Sequence, residues 1–333
     1  MSKIIYLDNS ATTPVAEVVK KKIPEWLELY GNPSSQHSVG RDAEIAINNV
    51  RKTFKKYLPE HEIVFTSGAT EGNKIIIEAF GKCGCYSKFE HDSIYKRCQL
   101  FSKTIDKKYD LFCCQYINGE TGNVIIGDAV HFPNGDFLWL CDATQSIGKV
   151  PFDKFKDADF ITGSAHKFGG LKGTGFLAIK KKYLNMFRND FDSQEFSIRG
   201  GTQNVLGILA MREALEYAMK NLKTLSHNRN MFIRDLASQF PDATINTKPE
   251  YYHHGILSIS FPRTNAEVLT RLLDLEGICI SSHSACSKYS RIPELYNIPD
   301  GYGTIRISVA GDEGYSPYEV AKKIKECLKG SRL

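Results

Sequence analysis

Asp142, Gln145 and Lys167 are the side chains whose types and spacing first suggest chemistry. Asp142 opens DATQS (142–146) at the end of the apolar run DFLWLCDA (136–143), with Gln145 three residues on. In an α/β sheet the carboxyl end of a strand is where ligands bind. A buried carboxylate there needs a cationic partner. The protonated ring nitrogen of pyridoxal phosphate is such a partner, and an aspartate beside it keeps the ring electron-withdrawing. The plainer reading of Asp142 is a cap for the next helix. Gln145 can hydrogen-bond a ring substituent. Lys167 lies in SAHKFGG (164–170), preceded by Ser164 and His166 and followed by glycines. A lysine that reaches into an apolar pocket has a lowered pKa, which suits Schiff-base chemistry and proton transfer. Its alternative role is a point charge on a phosphate.

Four further segments add chemistry. TSGATEGN (66–73) follows the run EIVF and opens a helix, so Gly68, Ala69 and Thr70 can offer backbone N–H groups and a hydroxyl to a phosphate at a helix N-terminus. It lacks the GK[ST] ending of a P-loop. His91, in FEHDS, is either structural or a flat group that stacks on a ring and moves protons. Cys286, in ISSHSACSKYS, sits among small polar residues just past GICIS, with His283, Lys288 and Arg291 nearby. That setting reads either as an exposed thiol held partly as thiolate or as an incidental surface cysteine. Arg306 interrupts the apolar run GTIRISV, where its guanidinium could hold a carboxylate in a bidentate fork or emerge at a sheet edge.

The elements that must position these residues alternate. Strand-like runs at 62–67, 110–118, 136–143, 159–164 and 173–180 are interleaved with helical patterns, which predicts an α/β layer with a mostly parallel sheet. After Thr202 a long helical stretch runs to Phe240, followed by ILSISF, a helix at AEVLTRLLDLE, ICISS and GTIRISVA, which reads as a smaller α+β domain. The expected division is 13–220 for the large domain, with 1–12 and 221–333 for the small one carrying the Cys286 loop.

Composition narrows the class. The 333 residues are 42% hydrophobic and 24% charged, with a net charge of +5, as in ordinary globular proteins. The lysine clusters at 20–22 and 180–182 lack interleaved aromatics and read as solvated faces, so no direct nucleic-acid binding is expected. Nine cysteines without a CxxC pair fit neither a secreted disulfide framework nor a zinc site. The opening MSKIIYLDNS does not read as a signal peptide, and no apolar run approaches the length of a membrane span. The expectation is a cytoplasmic protein with mostly free thiols and no membrane contact.

Taken in order, YLDNSATTP, GNPSSQHSVG, VFTSGATEGN, EHDS, DATQS, SAHK, RGGT, SSHSAC and IRIS resemble the segments of cysteine desulfurases of the nitrogenase/iron–sulfur-cluster type. These belong to the class V aminotransferases, pyridoxal-phosphate enzymes of fold-type I. The resemblance covers nearly the whole chain. It implies a large domain with a mostly parallel, seven-stranded type of sheet flanked by helices, plus a smaller α+β domain. It implies that Lys167 is the Schiff-base lysine and Cys286 the persulfide-forming cysteine, a possible transient iron–sulfur ligand. Ala69, Thr70, Ser164 and His166 would bind the phosphate, His91 would stack on the ring, Asp142 would pair with the ring nitrogen and Gln145 with the ring hydroxyl. Thr202 is similar to a residue that reaches the partner subunit's phosphate, which implies a homodimer. Asn32 and Arg306 align with residues that hold the carboxylate of the substrate, L-cysteine. A sulfur-acceptor protein, either an iron–sulfur scaffold or a thiolation carrier, would be the further partner.

The chain departs from that pattern. Gly119 stands where the family carries the second of two asparagines, and Asn118 cannot replace it, since strand neighbours face opposite ways. His283 replaces a glycine, the stretch between His91 and Asp142 is short, and the chain ends soon after its last helix. The Cys286–Arg306 stretch is too long for the tight loop of the selenocysteine-lyase-like branch. Two rival readings are another class V aminotransferase or lyase, and a non-catalytic sulfur-handling protein.

Overall fold

The computed structural model describes residues 4–80, 83–101, 110–126, 137–187, 194–282 and 292–332; for 83–85, 100–101 and 110 it describes the backbone alone. In chain order the strands are β1 (Ile5–Tyr6), β2 (His61–Thr66), β3 (Cys83–Tyr86), β4 (Asp110–Gln115), β5 (Phe137–Asp142), β6 (Phe160–Ser164), β7 (Gly175–Lys180), β8 (Thr244–Ile245), β9 (Ile256–Pro262), β10 (Ile278–Cys279) and β11 (Tyr302–Ser308). The helices are α1 (Glu17–Trp26), α2 (Ser38–Lys55), α3 (Ala69–Phe80), α4 (Asp92–Phe101), α5 (Val205–Lys220), α6 (Leu222–Ala237), α7 (Ala266–Leu275), α8 (Ile292–Leu295) and α9 (Pro317–Gly330). The chain forms two compact units, one of Pro14–Tyr116 and Ile126–Lys220, the other of Met1–Thr13, Ile117–Ile125 and Asn221–Leu333.

The larger unit is built on a sheet of order β2-β7-β6-β5-β4-β3. Its strands are short apolar runs buried on both faces, the pattern of a sheet covered by helices. β3, β4, β5 and β6 are parallel, and β7 runs antiparallel to both β6 and β2. The carboxyl ends of β2, β4, β5 and β6 therefore share one edge. The described residues hold six strands, where the sequence reading expects a seven-stranded type. α3 packs on β6 and β7, and Ile76, Ile77 and Phe80 join Val64, Leu140, Phe160 and Leu177 in one core. α2 buries Ala43, Ile47, Val50 and Phe54 at helical spacing, and its N-terminus is capped by His37 accepting the Gly40 N–H. α5 is apolar nearly all round because it packs against both α1 and α2.

The smaller unit pairs β1 with β10 in parallel and carries an antiparallel sheet of order β11-β9-β8. Leu257, Ile259, Ile305 and Ile307 from that sheet meet Ile233, Leu269, Leu273 and Ile324 from α6, α7 and α9. The segment Ile117–Ile125 is a turn of this unit. Gly122 takes φ +76°, and a Cβ there would stand 2.9 Å from the Ile256 Cβ, so glycine is required twice over. Asn123 donates to the Asn246 carbonyl and to Tyr296 Oη and accepts the Lys248 N–H, while His254 Nδ1 donates to the Gly122 carbonyl.

The helical stretch after Thr202 is two helices rather than one. It breaks at Asn221 (φ −98°, ψ 8°), because α5 buries its apolar residues in the larger unit and α6 buries Leu225, Ile233 and Leu236 in the smaller. No described helix is long and apolar enough to cross a membrane. Cys113, Cys114, Cys141, Cys279 and Cys327 are free thiols, whereas Cys98 is disulfide-bonded.

Candidate active site

The sheet edge of the larger unit gathers most of the residues singled out from sequence. Thr66, Gly175 and Ser164 lie in register across β2, β7 and β6. A Cβ on Gly175 would come within 2.5 Å of both the Gly68 Cα and the Gly163 carbonyl oxygen, so the missing side chain lets the 66–69 loop close down on β6. That closure brings Ser164 Oγ to accept the Ala69 N–H at 2.8 Å, at the first residue of α3. One of the helix's first N–H groups, expected to face a phosphate, is thus given to a serine in the structure.

The start of α3 is held from a second direction. Glu71 accepts the Ser67 N–H at 2.5 Å and pairs with Arg199 Nε at 2.9 Å. Burial alone would raise its carboxyl, but the Ser67 hydrogen bonds and Arg199 outweigh that and lower it. Arg199 opens RGGT (199–202), so this pair ties that segment to the head of α3. Thr202 itself is exposed.

Asp142 ends β5 opposite Thr162 of β6 and is 6% exposed. Its Oδ1 accepts the Thr144 N–H at 3.0 Å and its Oδ2 accepts Asn73 Nδ2 at 3.1 Å. Asn73, fully buried inside α3, also accepts Thr162 Oγ1 at 2.7 Å and donates to Ser93 Oγ at 3.1 Å. The approach that makes this possible is at Gly72, where a Cβ would stand 2.8 Å from Thr162 Cγ2. Among the described residues Asp142 has neutral donors and no ion-pair partner, the state of a carboxylate that would accept a cationic ring nitrogen.

His91 precedes α4 and caps it. Its carbonyl accepts the Ile94 and Tyr95 N–H groups, and its Nδ1 accepts the Ser93 N–H at 3.2 Å and lies 2.9 Å from Ser93 Oγ. The preceding Glu90 is fully buried and accepts the Gln115 N–H with both carboxylate oxygens, which pins the loop to the carboxyl end of β4. His91, Ser93, Asn73 and Asp142 thus form one hydrogen-bonded chain.

Lys167 closes a short helical turn, Ala165–Lys167, that begins where β6 ends. Ala165 anchors it, its N–H donating to Thr174 and its carbonyl accepting from Phe168 and Gly170. Desolvation, then the charges of Lys167 and Lys172, push His166 down to about 4. That imidazole is therefore neutral at physiological pH. Gln145 is buried and its Oε1 accepts Lys149 Nζ at 2.8 Å. Asn32 is exposed and accepts the Ser34 N–H in its own turn. Neither Asn32 nor Thr202 is joined to Asp142, Ser164 or Ala69 by a described hydrogen bond.

Arg306, on β11 of the smaller unit, is 5% exposed. It donates to Asp8 Oδ1 at 2.8 Å, Ser281 Oγ at 3.2 Å and the Gly119 carbonyl at 3.0 Å. Gly119 thus meets Arg306 through its backbone carbonyl. Asn118 accepts from the N–H groups of Glu120 and Thr121 and so caps its own turn. Cys286 and its neighbours His283, Lys288 and Arg291 lie outside the described residues. The five described free thiols are unsuited to nucleophilic attack. Burial raises the thiols of Cys113, Cys114 and Cys141, and burial with neighbouring carboxylates raises Cys279 and Cys327. Asn73, Ser93, Glu90, Arg199 and Asp8 were not singled out from sequence. A buried asparagine inside a helix, as at Asn73, is the one local signal that marks any of them.

Comparison with known proteins matches residues 5–96 and 86–313 to the aminotransferase class-V family. The chain is 31% identical to "Cysteine desulfurase IscS" of Dictyoglomus turgidum, covering 93% of this chain and 90% of the relative. It is 32% identical to "Cysteine desulfurase IscS" of Methanosarcina thermophila, covering 92% and 87%. Among solved structures, a NifS-like protein from Rickettsia africae superposes with a TM-score of 0.84 at 25% identity, over 98% of this chain and all of that one.

Proposed function

The chain belongs to the class V aminotransferase family, and on that footing we propose that it is a pyridoxal-phosphate-dependent cysteine desulfurase. The observation that carries the reading is the single sheet edge on which Asp142, Ser164 and the start of α3 converge, with Lys167 on the turn that follows. The residues fit the cofactor. Asp142 is a buried carboxylate held by neutral donors, and the Gly68–Gly175 contact leaves a loop with no side chain against Ser164. Lys167 would hold the cofactor covalently, Asp142 the ring nitrogen, and Gln145 the ring hydroxyl. Ala69, Thr70, Ser164 and His166 would hold the phosphate, with Thr202 from a second copy of the chain, and His91 would stack on the ring.

When bound, pyridoxal phosphate supplies an electron sink that makes the α-proton of an amino acid removable. The chain's own groups do the rest. The Lys167 amine, set free when substrate binds, takes the α-proton at Nζ. Asp142 keeps the charge that favours that step. His166, neutral beside Lys167, adds no positive charge next to the amine. Arg306 and Asn32 orient the substrate by its carboxylate. Cys286 as thiolate attacks the substrate sulfur; the S–S bond forms as the C–S bond breaks, and its electron pair goes to carbon, which is protonated to give L-alanine. The persulfide then passes to an acceptor thiol on an iron–sulfur scaffold or a thiolation carrier.

The test compares two variants with L-cysteine and no added keto acid. Lys167→Ala should lose the long-wavelength absorbance of the covalently held cofactor together with activity. Cys286→Ser should keep that absorbance and lose alanine and sulfide formation. A fully active Cys286→Ser protein would remove Cys286 from the reaction, and alanine formation only with a keto acid present would make the chain an aminotransferase.

A further inference from the structure

An arginine offers five N–H groups and takes a carboxylate at one of two edges, Nη1 with Nη2 or Nη2 with Nε. Both edges use Nη2. In Arg306 the two Nη2 hydrogens are spoken for, one by Asp8 Oδ1 at 2.8 Å and one by Ser281 Oγ at 3.2 Å. Nη1 donates to the Gly119 carbonyl. Among the described residues Nε is buried without a hydrogen-bond partner, so the second half of the Nη2–Nε fork stands ready while the first is taken. A substrate carboxylate therefore cannot engage Arg306 in a bidentate fork until Asp8 or Ser281 lets go.

Asp8 is the partner whose release matters most. Ser281 Oγ is neutral, and moving it aside alone would leave the Asp8 charge on the guanidinium. Apart from Arg306, Asp8 is held among the described residues through its backbone, which bridges to Ser308, and its side chain is 18% exposed against 6% for Arg306. It can turn aside while its main chain stays in place. A second carboxylate at the same guanidinium would also be repelled by the first at a few ångströms.

We propose that Asp8 is an internal stand-in for the substrate carboxylate, neutralising Arg306 before substrate binds and exchanged for the amino acid's carboxylate on binding. This rests on the reading that Arg306 holds that carboxylate. Asp8 is then a specificity-determining residue. It weakens the hold on any small anion, and it displaces the product alanine by re-forming its own pair.

The experiment uses the full chain loaded with cofactor and the isosteric variant Asp8→Asn, which keeps a hydrogen-bond acceptor and removes the charge. The KM for L-cysteine and the inhibition constant for L-alanine should both fall about tenfold, and chloride should become a competitive inhibitor. A purely supporting role for Asp8 would instead raise both constants as Arg306 loses its orientation. Raised or unchanged constants in Asp8→Asn overturn the proposal. Asp8→Ser, measured alongside for melting temperature and the same constants, should move them in the same direction and guards against loss of fold. Arg306→Lys should raise the KM at least tenfold. If it does not, the carboxylate role of Arg306 fails and the exchange with it; if it does while Asp8→Asn changes nothing, the exchange alone fails.

Discussion

Asn73 Nδ2 lies 3.1 Å from Asp142 Oδ2, so the carboxylate best placed to face a cofactor ring is steadied by a fully buried neutral amide. Removing that amide in Asn73→Ala strands Asp142 Oδ2 and Thr162 Oγ1 together, and buried groups left unpaired cost about 1–3 kcal/mol. The expected result is a fall of about 2–3 kcal/mol in unfolding free energy in urea, together with faster loss of cofactor on dialysis. An unchanged urea midpoint would mean that these hydrogen bonds carry no net stability.

Much of this arrangement is legible in the sequence, and the reason differs by residue. Asp142 and Ser164 could be placed because each ends a short apolar run, and strand ends in a parallel sheet share an edge. The contacts of Asn73 with Asp142 and Ser93 were not legible. They depend on how deeply α3 sinks against β6, which is set by the absent side chain of Gly72 and read only once Thr162 is seen opposite. Asp8 was hidden for a like reason, since its partner stands 298 residues away. The placement of Ile117–Ile125 with the smaller unit was hidden because nothing in those residues names Asn246 or His254 as partners.

Glu195 sits in the larger unit as a buried anion at the sheet's edge. Its Oε1 pairs with Arg51 at 2.7 Å and its Oε2 accepts the Phe65 N–H at 2.7 Å, which is an outward N–H of edge strand β2. Glu195, Phe196 and Ser197 all take left-handed backbone angles, with φ of 44°, 59° and 60°, a conformation that costs L-residues about 1–2 kcal/mol each. The carboxylate is the clamp that holds this stretch. Glu195→Ala should lower stability by about 3 kcal/mol, since it removes the counter-ion of the largely buried Arg51 and the acceptor of the Phe65 N–H. It should also open the chain near residue 196 to limited proteolysis; continued resistance there would assign the clamp elsewhere.

His166 gives the protein an acid sensitivity of predictable sign. Its ordinary value is 6.5, and desolvation with Lys167 and Lys172 pushes it down to about 4 in the folded chain. Between those values the unfolded state binds the proton and the folded state does not, so stability falls as pH drops from 6.5 to 4 and this contribution is spent below 4. In cofactor-free protein, where Lys167 keeps its charge, His166→Gln should flatten the pH dependence of the urea midpoint across that window. An equal slope in parent and variant would locate the sensitivity at other groups, such as His61, which burial also lowers.

The turn Ile117–Ile125 has a consequence for the order in which the protein can be made. His254, which donates to the Gly122 carbonyl, follows it by 132 residues. A chain emerging from the ribosome therefore completes the strands on either side of this turn long before the turn's own docking site exists. For that interval nine residues, with Ile117, Val124 and Ile125 among them, wait without their final cover. Met1–Thr13 and Ile117–Ile125 both precede Asn221–Leu333, so a ribosome stalled near Lys220 would carry these two segments before the rest of their unit has been made.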